Sequence, residues 1–96
     1  MAYGISLPPQ HQFKISGTAI ALSETATEVT AGGVYLFSCG STARHIRVTE
    51  ATDATTPTAD NGFTLGANST LTLYLETGQF VHSSGTGGSY TLLRAV

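Results

Sequence analysis

Residues 69–83 read STLTLYLETGQFVHS. Leu71, Leu73 and Leu75 alternate with Thr70, Thr72, Tyr74 and Glu76. Successive side chains of a strand point to opposite faces, so this spacing predicts a half-buried strand with the leucines inward. Thr77-Gly78 then reads as a tight turn into a second strand over 79–83, which predicts a hairpin. A helix needs apolar residues three and four apart, and this stretch offers them two apart.

Working outward, the same signature recurs. Residues 89–95, SYTLLRA, place Tyr90 and Leu92 on one face and Leu93 and Ala95 on the other. Residues 44–49 place Ile46 and Val48 against His45, Arg47 and Thr49. Residues 34–39 carry Val34, Leu36 and Ser38 on one face and Tyr35, Phe37 and Cys39 on the other. Both of those faces are largely apolar, which predicts a strand covered twice: by the core, and by an extra layer or a partner subunit. Shorter strands are expected over 17–22, 26–30 and 63–65, with Thr18, Ile20 and Leu22 sharing a face in the first. Glycine-bearing turns separate them, and no window keeps the spacing of an amphipathic helix. Seven or eight short strands predict an all-β fold, a small antiparallel β-sandwich of jelly-roll or Greek-key type.

Two segments stand apart. Residues 50–62, EATDATTPTADNG, hold Pro57 and show no period, which predicts a long exposed loop. Residues 1–16, MAYGISLPPQHQFKIS, precede the first expected sandwich strand. Pro8 and Pro9 remove amide donors and push the residue before each toward extended geometry. The chain therefore divides into an extended N-terminal arm, 1–16, and a sandwich domain, 17–96. Tyr3, Ile5, Leu7, Pro8, Pro9 and Phe13 are the candidate contact residues of the arm, with apolar side chains suited to shallow pockets. Docking on another chain, packing over an open end of its own sandwich and fraying at the terminus are all compatible with this composition.

Bulk properties narrow the function. At 96 residues the chain makes one domain with a modest core, and small folds usually gain support from disulfides, metals or association. A lone cysteine, Cys39, forms no internal bridge. Charged residues make up 10% of the chain, against roughly 25% in a typical domain. Threonine is the commonest residue. This skin suits either a surface covered by partners or a threonine-rich solvated sheet. The net charge of −2 and the scattered Lys14, Arg44, Arg47 and Arg94 disfavour nucleic acid and anionic membrane as partners. No apolar run reaches the span of a membrane helix, and the N-terminus lacks the make-up of a signal peptide, so synthesis and use without secretion are expected.

Catalytic and metal chemistry is sparse. Cys39 ends an apolar strand and reads as a buried structural thiol. His11, His45 and His82 lack ligand spacing, with His82 placed at a strand edge. Asp53, Asp60 and Asn61 read as a turn rather than a calcium loop. The glycines of 85–88 precede no helix that could cradle phosphate. No acid–base pair emerges from Glu24, Glu28, Glu50 and Glu76. No cofactor, no metal and no enzymatic activity are expected.

One resemblance adds to this reading. The glycine turn and apolar strand AGGVYLF (31–37), the segment STLTLYLETGQFVHS (69–83) and the closing GTGGSYTLLRA (85–95) resemble, in pattern and composition, the small head decoration, or cement, proteins of tailed bacteriophages. The resemblance spans 29–95, about two-thirds of the chain. It implies a non-enzymatic protein on the outside of an icosahedral head, made in the host cytoplasm. It also implies a homotrimer that binds the major capsid protein, with N-terminal arms strapping neighbouring subunits. Other virion positions, at the head–tail joint or tail tip, share this texture. A carbohydrate-binding or adhesin module is the alternative from another class, with outward-facing Tyr74 as its candidate stacking residue.

Overall fold

The computed structural model describes residues 13–15, 18–52 and 55–95, with 13–15 and 94–95 described by backbone alone. The described residues form nine β-strands: β1 (Phe13–Ile15), β2 (Ile20–Ala21), β3 (Thr27–Glu28), β4 (Gly33–Ser38), β5 (Arg44–Thr49), β6 (Phe63–Leu65), β7 (Thr70–Leu75), β8 (Phe80–Ser83) and β9 (Ser89–Ala95). No helix occurs among the described residues. The strands make two antiparallel sheets. The first has the order β1-β9-β4-β7, with β2 lying on the same side of β9 as β1. The second has the order β3-β8-β5-β6.

The pairings are nested. β5 pairs with β6, β4 with β7, β3 with β8 and β2 with β9. Each successive pair lies outside the last in sequence. The lateral contacts β4·β9 and β5·β8 then sort the four pairs alternately into the two sheets. Between β1 and β2 the register against β9 slips: Phe13 faces Ala95 while Ile20 faces Tyr90, seven residues against five.

Alternation builds the core. Tyr35, Phe37 and Cys39 point inward from the β4 segment and are all buried. Leu75, Tyr90, Ile46, Leu65 and Val81 join them, together with Leu22 and Val29 from the connections. Phe37 ties the layers together. Its ring stacks on Tyr90 of its own sheet at 5.2 Å and meets Phe63 of the other sheet edge-on at 6.2 Å. Both distances suit aromatic pairs that add to simple burial. The Cys39 thiol is buried too, with its sulfur 3.7 Å from the carbonyl oxygen of Leu65, so it serves packing.

Four expectations need correction. First, β7 and β8 form no hairpin. The Thr77-Gly78 turn carries the chain from one sheet to the other, because β7 pairs with β4 while β8 pairs with β3 and β5. Gly78 adopts a left-handed φ of 93° and donates its amide to the Val29 carbonyl, and Gln79 closes the turn onto Glu76. Second, His82 lies on an inner strand rather than an edge and is 5% exposed. Third, Ile20 and Leu22 do not share an environment: Ile20 is exposed and Leu22 is buried. Strand β2 ends at Ala21, and the Leu22 amide bonds to the Gly88 carbonyl beyond it. Fourth, the loop 50–62 is not uniformly exposed, since Pro57 is fully buried. Asn61 clasps the loop by accepting the Thr58 amide and donating to the Thr56 carbonyl. That clasp fits the expected turn; Asp53 lies outside the described residues.

Candidate interaction surface

The two outer faces differ in chemistry. On the second sheet, core-facing Ile46, Val48 and Val81 leave His45, Arg47 and Thr49 of β5 pointing outward. The register sets Thr64, His82 and Phe80 beside them, with Glu28 next to Phe80. His45 and Thr64 are joined through Nδ1 and Oγ1 at 3.0 Å. Arg47 and Glu28 give this face its charge, while His82 within it is buried and Phe80 half-buried.

On the first sheet, inward-facing Tyr35 and Phe37 leave Val34, Leu36 and Ser38 pointing outward. Register places Tyr74, Thr72 and Thr70 on one flank and Thr91 and Ser89 on the other, with Leu93 one step further along β9. None of these nine residues carries a charge. Thr91 is buried, Val34, Leu36, Ser38, Ser89 and Leu93 are half-buried, Thr70 and Thr72 are exposed, and Tyr74 is 62% exposed. The second cover expected for β4 is therefore a layer that this chain's described strands do not supply.

The β7 edge beside that face is open. Among the described residues β7 pairs only with β4. The Cys39 amide donates to the Ser69 carbonyl at 3.2 Å. Backbone groups alternate along a strand, so Leu71, Leu73 and Leu75 bond toward β4. The N–H and C=O groups of Thr70, Thr72 and Tyr74 then point away from the sheet. Leu71, on the core side, is 39% exposed because no further strand covers it.

Of the arm residues, Tyr3, Ile5, Leu7, Pro8 and Pro9 lie outside the described residues. Phe13 lies in β1, its backbone paired with Ala95, so the last part of the 1–16 segment extends the first sheet. Arg44, one of the scattered basic residues, is half-buried and donates to the Thr86 carbonyl at 2.7 Å, lying over Gly85. Among the described residues no group of three His, Cys, Asp or Glu side chains comes together. No helix there is long and apolar enough to cross a membrane. The free edge of β7 was hidden at the sequence level, because a β7–β8 hairpin would have covered it. Its signal was the uncharged run TLTLYL.

Compared with family models, with curated proteins and with solved structures, the chain matches none.

Proposed function

We propose that this is a non-enzymatic virion protein that binds the outside of a phage capsid and stabilises it. In this reading it acts as a trimer, with its N-terminal arms strapping neighbouring subunits and the major capsid protein as its partner. The observation that carries the proposal is the uncharged outer face of the first sheet, backed by a sandwich whose other face is charged. A two-sided module of this kind suits a shell surface, with one side toward protein and the other toward water.

The fold is read further as a jelly roll. Four nested pairs sorted into two sheets support that reading of an architecture that recurs in capsid and lectin domains. Many copies on a repeating lattice need only modest affinity each, since trimeric attachment makes the later contacts intramolecular. Binding only the assembled shell stabilises that shell by mass action. Exposed Tyr74 beside Thr72 favours a second reading, a glycan site built on one stacking ring.

Cosedimentation of the purified protein with empty heads tests the first reading, using the full chain and a chain lacking residues 1–9. The full chain pellets with heads, and the shortened chain pellets less. A full chain that stays in the supernatant overturns the capsid reading. A glycan array giving hits lost in Tyr74→Ala would favour the second.

A further inference from the structure

We propose that residues 2–7 of one copy add as an antiparallel strand to the free edge of β7 in a neighbouring copy. The inference rests on the trimeric reading above and names the contact that builds the trimer. The four sheet edges formed by the described strands are protected unequally. Natural sheets blunt their edges with short strands, charges, prolines or bulges. Here β3 and β6 are two and three residues long, and the β1/β2 edge is broken by a register slip. Strand β7 is six residues long and unbroken, and it carries no charge or proline. It also holds two of the three exposed large hydrophobic residues among the described ones, Leu71 and Tyr74. An edge left open in this way is a template for another strand.

The occupant follows from the chain itself. Residues 2–7, AYGISL, alternate small and apolar residues, with Tyr3, Ile5 and Leu7 on one face. That face matches the line of Leu71, Leu73 and Leu75, whose outermost member is the one left uncovered. Pro8 and Pro9 end the ladder, because they lack the amides to extend it.

Distance decides which copy receives the strand. Extending the sheet register by two residues sets Lys14, Arg94, Gly33 and Leu75 in one row. The arm therefore leaves the sheet at the Leu75 end, on the opposite edge. A strand beyond β7 lies four strand spacings from β1, about 19 Å. Antiparallel addition also places Leu7 near Thr70, a further ~17 Å along the sheet. The diagonal is roughly 25 Å, and the six steps from Leu7 to Phe13 span at most about 20 Å. The arm cannot make this pairing in its own copy. Given to the next copy, one arm donated and one received per chain, the contact is head-to-tail, and in the trimeric reading its rotation closes after three copies.

Light scattering on three full-length or near-full-length proteins tests this. The parent should show three chain masses. Thr72→Pro removes an outward amide and leaves the β4 ladder intact; it should fall to one chain mass, as should the chain lacking residues 1–9. Mixed together, the two should form a one-to-one complex, because one still donates an arm and the other still offers an edge. Leu71→Lys serves as a second edge variant should Thr72→Pro unfold, read by the same mixing. A monomeric parent, a variant that keeps the parent's mass, or a mixture that gives no complex overturns the inference. Head cosedimentation is separate: a trimer built this way that ignores heads removes the capsid reading and leaves the arm exchange standing.

Discussion

Tyr35 and Tyr90 pack against each other with ring centroids 5.7 Å apart, yet their hydroxyls meet different fates. Tyr35 donates to the Ala31 carbonyl, while the buried Tyr90 hydroxyl has no hydrogen-bond partner among the described residues. An unpaired buried hydroxyl costs about 1–3 kcal/mol, and a net hydrogen bond contributes about 0.5–1.5. Tyr90→Phe is therefore expected to raise the denaturation midpoint, by about 1 kcal/mol in stability. Tyr35→Phe is expected to lower it by a similar amount. Chemical denaturation of both variants checks the opposite signs. Burial raises both phenols above the ordinary value of 10.0, and for Tyr90 the charge of Tyr35 adds to the effect. The folded protein thus holds these protons more tightly than the unfolded chain. The stability tied to them is complete below pH 10 and is lost as the pH rises beyond it. The denaturation midpoint should hold up to that range and then fall, and it should fall less steeply in Tyr90→Phe.

At the scale of elements, strands were easier to read than their partners. Leu71, Leu73 and Leu75 gave β7 its bounds and faces because alternation is a local property. Arg44–Thr49, Phe63–Leu65 and Ser89–Ala95 were legible for the same reason. Pairing is not local, and Thr77-Gly78 gave no sign that it joins two sheets rather than two neighbours. His82 was misplaced by that same step, since its burial depends on β3 and β5 lying on either side. The uncharged character of the candidate face showed in the two-sided apolar reading of β4, but its location needed the register. Close approaches between elements were invisible as well. A Cβ on Gly62 would lie 2.3 Å from the Ile46 carbonyl oxygen. Gly62→Ala must therefore push the loop end off β5, and a loss of about 1–3 kcal/mol is expected, as for an overpacked core. Phe37→Ala should cost more, about 3–5 kcal/mol, because its ring bridges both layers. Thermal melts of the two variants check the order.

For the whole molecule, nesting sets the kinetics. Even the innermost pair, β5·β6, spans a long loop, and the outermost joins Phe13 to Ala95. Folds dominated by such distant pairings refold in roughly milliseconds to seconds, and stopped-flow refolding is expected to fall in that window. Strand β9 has a special place in this order: late in the chain, it lies between β1 and β2 on one side and β4 on the other. A ribosome must release Ala95 before the first sheet can zip shut. Translation products that stop short leave β2 and β4 with nothing between them. Chains cut short of β9 therefore lack Ser89, Thr91 and Leu93, and with them one flank of the uncharged face: a single late strand decides whether that surface exists at all.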